Sequence, residues 1–199
     1  INGAKPMIHA TRHLIAAATL GLFATAGFAM TGAEHKAAEQ KISSDYKADK
    51  AQCAALAGNA KDVCEKEASG KHKVAKADLQ AAYKPSSKAG YNARVARADA
   101  AYDVAKEKCD DLSGNPKDVC VKDAKAAHVK GKEEAKVVRA ETKPGETVNQ
   151  KAANVAETKQ DAAHETREAQ YKAAAERCDA LSGDVKDKCV ADAKRAFGQ

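Results

Sequence analysis

Apolar and small residues from position 91 onward fall at Tyr91, Val95, Ala98, Tyr102, Ala105, Cys109 and Leu112, a 4-3-4-3-4-3 spacing that marks a coiled-coil-like helical seam. The spacing recurs less cleanly at Ile42, Tyr46, Asp49, Cys53 and Leu56, with a carboxylate where the later segments carry Ala105 and Ala174. Lys, Glu and Asp of mixed sign fill the positions between, as in solvated helices. The pattern predicts an all-α chain with helices over about 33–57, 60–83, 91–113, 116–141, 148–182 and 185–197.

The seams recur because the chain repeats. Tyr46 to Cys64, Tyr102 to Cys120 and Tyr171 to Cys189 align without gaps, and self-similarity of this kind marks a repeat architecture. In each copy Tyr precedes the first Cys by seven residues and the second Cys follows it by eleven, which uses all six cysteines. Each copy reads as a helical hairpin. Gly58, Gly114 and Gly183 suit a left-handed residue ending the first arm. Asn59, Asn115 and Asp184 suit the N-cap of the second arm, and Pro116 suits its first helical position. Asp62, Asp118 and Asp187 then fall where a carboxylate favours the helix dipole.

Folding about such a turn brings the cysteines level on facing arms. In an oxidising compartment an even set of level cysteines reads as disulfides, here Cys53–Cys64, Cys109–Cys120 and Cys178–Cys189. Closing loops this short is worth about 3 kcal/mol each by the chain-entropy account. The same mirror relation sets Ala105 against Ala124, Tyr102 against Ala127, Ala98 against Gly131 and Tyr91 against Val138. In the first hairpin it lets Asp49 reach Lys71, whose aliphatic stem would cover Tyr46.

Pro, Gly and Ser punctuation at 84–90 and at Thr142–Gly145 divides the chain into hairpins at 30–84, 91–142 and 147–199. The third is lopsided. Residues 148–168 have no partner within their own hairpin and are expected to pack on another hairpin, on another molecule, or to fray. The fold expected is three disulfide-stapled antiparallel hairpins, extended or loosely bundled.

Composition sharpens this picture. The chain has 7 Leu, 4 Ile, 13 Val, 3 Phe and no Trp, so most of its 44% hydrophobic content is Ala, which buries little area. Close Ala seams and covalent staples must replace a large core, and an enclosed active-site pocket is not expected.

Charge and the first thirty residues set the address. Residues 1–6 precede Met7; Arg12 and His13 then lead an apolar run from Leu14 to Met30, the layout of a signal peptide. Cleavage is expected after Ala29, with Ala26 the alternative, which makes residues 7–29 the signal and the rest a soluble periplasmic chain. Removing residues 1–29 takes away Lys5 and Arg12 and lowers the formal charge from +6 to +4. That mild excess suits an envelope protein or an anionic envelope surface as partner and leaves self-association open. It is not a nucleic-acid footprint, and no later stretch is apolar enough to span a membrane.

The Cys and His residues raise the question of metal or redox chemistry. His72 and His128 each follow the second Cys of their copy by eight residues, about 12 Å along a helix, too far for one ion to take both ligands. The third copy has Phe197 there, and the histidines read as solvated. Cys64, Cys120 and Cys189 lie near helix N-termini, but Asp62, Asp118 and Asp187 oppose a thiolate, and there is no Cys-x-x-Cys pair. Ser43, Ser44, Ser69, Ser86 and Ser87 sit in no nucleophile elbow. No catalytic residue, metal ligand or cofactor is assigned.

The stretch GFAM-TGAEHKAA and the repeat YDVAKEKCDDLSGNPKDVC-VKDAKAAH resemble a group of exported Ala/Lys-rich helical proteins of Gram-negative, especially beta-proteobacterial, genomes that carry the label TolA-like or cell envelope biogenesis protein. The resemblance implies a periplasmic address and carries no catalytic residues. The expectation is a non-enzymatic periplasmic helical-repeat protein with a structural, scaffold or envelope-stress role. The alternatives are a metal- or redox-buffering protein and a hydrophilin-like protectant.

Overall fold

The computed structural model describes residues 30–199; the predicted signal segment 7–29 and residues 1–6 lie outside them. Six helices follow in order: α1 (Gly32–Cys53), α2 (Gly58–Tyr83), α3 (Ser87–Lys108), α4 (Gly114–Thr142), α5 (Val148–Cys178) and α6 (Gly183–Phe197). One 3-10 turn, Cys109–Asp111, follows α3. The fold is all-α, with helix over 87% of the described residues and no strand among them.

Local chemistry sets the helix starts. Thr31 Oγ1 accepts the Glu34 N–H at 3.2 Å while Glu34 Oε2 accepts the Thr31 N–H at 2.7 Å, a reciprocal capping box. Thr147 and Gln150 repeat the arrangement at α5. Ser86 Oγ accepts the Ala89 N–H at 3.0 Å, so α3 begins at Ser87, ahead of the predicted 91. The linker itself supplies that cap.

The first arms end at the disulfides and not at the glycines. α1, α3 and α5 stop at Cys53, Lys108 and Cys178, four or five residues short of the predicted ends. The intervening residues form a reverse turn in every copy, with Leu56, Leu112 and Leu181 donating to the carbonyls of Cys53, Cys109 and Cys178 at 3.0 Å. Leu56 and Leu112, expected in the seams, therefore lie past the helix ends and are 43% exposed.

Ala57, Ser113 and Ser182 are extended, and Gly58, Gly114 and Gly183 take φ of 57°, 59° and 57°. These left-handed glycines turn the chain straight into the next helix, which begins at the glycine itself. Asn59, Asn115 and Asp184 are thus second residues of their helices and not N-caps, and Pro116 is the third residue of α4 and not the first.

Each helix packs on its neighbours in sequence, α1 on α2, α2 on α3, and so on to α5 on α6. The hairpins lie side by side, and the result is a single layer of antiparallel helices with the three disulfide turns at one end. The first half of α5 finds its partner in α4, where Lys159 pairs with Glu141 at 2.8 Å. The linker before it is pinned along α5, because Glu146 Oε1 accepts from Lys143 at 2.7 Å and from Asn154 at 3.1 Å.

One set of contacts joins successive hairpins, and it is used twice. Asn59 Nδ2 donates to the Glu107 carbonyl at 3.1 Å, and Asn115 Nδ2 donates to the Glu176 carbonyl at 2.9 Å. Both acceptors lie in the last turn of a helix, and each also takes the N–H of its C-cap residue, Glu107 from Cys109 and Glu176 from Asp179. Lys66 pairs with Glu107 and Lys122 with Glu176; Glu67 pairs with Lys108 and Asp123 with Arg177. The second arm of one copy thus docks on the first arm of the next in a fixed register.

Close approach explains the Ala content. Nine of the thirteen buried apolar residues are Ala, three are Cys and one is Leu79. Cys53, Cys109 and Cys178 are fully buried, so the disulfides form the centre of each small core. A Cβ placed on Gly131 would lie 3.1 Å from the Ala98 Cβ, and one on Gly70 would lie 2.9 Å from that of Ala100. Larger side chains at these crossings would force the helices apart.

Candidate functional site

The disulfides join Cys53 to Cys64, Cys109 to Cys120 and Cys178 to Cys189, with Cα separations of 5.5, 5.7 and 5.7 Å. No cysteine remains free. Disulfides of this number belong to an oxidising compartment. Among the described residues no helix is long and apolar enough to cross a membrane.

His72 and His128 are half-buried and not solvated as the sequence suggested. His72 packs on Tyr46 with ring centroids 4.5 Å apart, and His128 stacks on Tyr102 at 4.7 Å and 14°. His35 meets Tyr83 in the same way at 4.2 Å. The repeated Tyr therefore pairs with the repeated His across the hairpin, one residue beyond the partner that the mirror relation named. His72 lies against the Tyr46 ring. An aromatic pair of this geometry is worth about 1 kcal/mol beyond its buried area. His128 Nε2 also lies 2.5 Å from Asp99 Oδ1, and its Nδ1 is buried without a partner.

Other expected contacts are present. Lys71 Nζ lies 3.5 Å from Asp49, whose carboxylate remains 32% exposed, so the charge in the first seam is neither buried nor unpaired. Ala98 faces Gly131 as described above. Tyr91 lies beneath the Arg139 guanidinium, 5.2 Å from its centroid.

The Cys and His sets do not come together. Among the described residues, one metal-competent group has ligand atoms within 4.8 Å of one another: His164, Glu165 and Glu168, all on α5 and largely exposed. Glu168 is already engaged by Lys172 at 2.6 Å, and that hydrogen bond holds its carboxyl below the ordinary range.

An open trough of about 1050 Å³ lies on one face of the layer, between α3 and α5 and floored by α4. Ala98 and Ala105 of α3 and Ala127 and Gly131 of α4 line it, with the Tyr102–His128 stack beside them. Arg94, Arg97, Lys130 and Arg167 stand along it together with Glu133 and Glu134, Glu133 being held by Lys136 at 2.6 Å. Arg97 is occupied by Asp78 at 2.5 Å and Lys130 by Glu134 at 3.9 Å. Among the described residues Arg94 and Arg167 have no carboxylate partner.

The first hairpin provides an internal comparison. The corresponding concavity there holds about 310 Å³. Counting from the cysteines, Ile42, Asp49, Lys71 and Ala75 occupy the positions of Ala98, Ala105, Ala127 and Gly131. The Asp49–Lys71 pair crosses the place that Ala105 and Ala127 leave open. Sequence reasoning missed the trough, although the substitution of a charged pair by two alanines between aligned copies was visible.

Comparison with protein-family profiles, curated proteins and solved structures finds no match to this chain.

Proposed function

We propose that the chain is an exported, non-enzymatic helical-repeat protein that works in the periplasm as a scaffold, presenting its helix faces to another envelope component. The observation that carries this reading is the single-layer array. Each helix makes its main contacts with its sequence neighbours, and the register between hairpins is fixed by a repeated set of hydrogen bonds and ion pairs. Such an arrangement suits a stiff surface of defined spacing, as in other repeat proteins. The apolar segment Leu14–Met30, the six paired cysteines and the resemblance to exported Ala/Lys-rich proteins support the address.

Crosslinking in intact cells, with photoreactive residues placed along α3, α4 and α5, tests the role. A discrete crosslinked envelope component, with the chain recovered from the periplasmic fraction after removal of residues 1–29, is the expected result. Recovery from the cytoplasm would count against the address. Tight stoichiometric binding of Zn or Cu by the oxidised protein, without a crosslinked partner, would favour the buffering alternative.

A further inference from the structure

We propose that the trough over α4 is a docking groove for an amphipathic helix that carries bulky apolar side chains on one face and carboxylates on its flanks. The inference rests on reading the helix faces as the working surface and names the partner chemistry of one of them.

The floor runs from Ala124 to Val138, fourteen residues along α4, or about 21 Å at 1.5 Å per residue. That length matches about four turns of a second helix. Ala and Gly line it where the first hairpin has an Ile and an ion pair, so the room for bulky side chains lies on the array's own side. A partner's Leu or Phe side chains would enter this space as anchors at i, i+3, i+4 and i+7.

Two features select the occupant. The trough is open along its length, whereas small apolar ligands favour sites that bury most of their surface. An occupant left half in water needs a polar outer face, and an amphipathic helix has one. The rim then sets the charge. Arg94 on α3 and Arg167 on α5 stand across from each other without carboxylate partners, while neighbouring Arg97 and Lys130 are already neutralised. Acidic residues flanking the apolar stripe would complete these two cations, and a basic helix would be repelled.

The test is fluorescence anisotropy with the full oxidised chain and two labelled sixteen-residue helical peptides. Both carry Leu at i, i+3, i+4 and i+7; one has Glu on its flanks and the other Lys. Saturable binding of the Glu peptide, at least about tenfold tighter than the Lys peptide, is expected. The Ala105→Asp/Ala127→Lys variant recreates the ion pair that the first hairpin holds on the same backbone, and it is expected to weaken Glu-peptide binding at least about tenfold. Should that variant fold poorly by circular dichroism, Arg94→Glu/Arg167→Glu, two exposed changes, is expected to reverse the peptide preference.

No saturable binding, equal binding of the two peptides, or full affinity in both variants would overturn the proposal. Displacement of the Glu peptide by palmitate at equal concentration would assign the trough to an amphiphile instead. A dimer seen by sedimentation and abolished by Ala105→Asp/Ala127→Lys would assign it to a second copy. Crosslinks in cells that fall outside the trough, together with failed peptide binding, would remove this inference and leave the scaffold reading standing.

Discussion

The Asn115 side-chain amide donates to the Glu176 carbonyl at 2.9 Å, across sixty-one residues and from one hairpin to the next. The acceptor sits in the last turn of α5, so the bond ties the start of one second arm to the end of the following first arm. Asn115→Asp keeps the shape and removes the donor. It is expected to cost about 1 kcal/mol, a drop in Tm of about 2–4 °C for a chain of this size. An unchanged melting curve would show that the bond contributes nothing net.

The glycines of the array divide by what surrounds them. Gly90 lies within α3 with open space around it, whereas a Cβ on Gly70 would meet the Ala100 Cβ at 2.9 Å. Gly90→Ala is expected to raise stability by about 0.5–1 kcal/mol through helix propensity alone. Gly70→Ala gains the same propensity but must part α2 from α3, and it is expected to be net destabilising. Parallel urea melts of the two variants read the difference, and an equal gain in both would refute the close crossing.

Each staple closes a short loop, and removing the central one by Cys109→Ala/Cys120→Ala is expected to cost about 3 kcal/mol. Because Cys109 is fully buried, part of the loss comes from the space its sulfur leaves. Equilibrium unfolding of the variant beside the wild-type chain measures it. A loss well under 1 kcal/mol would mean that Ala packing holds the hairpins without the bond.

Acid should loosen the array before base does. The hydrogen bond from Lys143 holds the Glu146 carboxyl below its ordinary 4.5, Lys117 does the same to Asp110 from 3.8, and the Thr31 N–H lowers Glu34. A carboxyl held low in the folded state stabilises it above the unfolded value and loses that contribution as pH falls through the folded one. Tm is therefore expected to be flat from pH 5 to neutrality and to fall below about pH 4. Glu146→Gln should lower Tm at neutral pH and flatten part of the acid slope; a Tm that rises on acidification would contradict this assignment.

Much of the fold was legible because the chain states it three times. The Tyr-to-Cys spacing, the glycines and the level cysteines fixed hairpins and pairing, and the mirror relation placed Asp49 beside Lys71 and Ala98 beside Gly131. The turn details were harder. Asn59 and Asn115 look like N-caps because Asn after Gly commonly is one, yet tertiary packing offers their amides a helix-end carbonyl in the next hairpin. Local preference cannot reveal a partner fifty or sixty residues away.

The site was legible only in part. His72 and His128 looked solvated because a repeat spacing along one helix says nothing of the ring stacked on it from the other. The trough depends on three helices lying in one layer, and side-by-side packing of hairpins was the arrangement that periodicity left undecided. Once the layer is known, the difference between Asp49 with Lys71 and Ala105 with Ala127 becomes a difference in surface shape.

A layer in which every helix makes its main contacts with its sequence neighbours offers little route around a weak link. Strain applied at α1 reaches α6 chiefly by passing through α2, α3, α4 and α5 in turn, so the molecule transmits load in series. The α3–α4 pairing, carrying the Cys109–Cys120 bond and the Tyr102–His128 stack, is the middle link of that series. Opening it would leave two half-arrays tethered by the chain, each still ordered, and would separate whatever is bound at one edge from whatever is bound at the other.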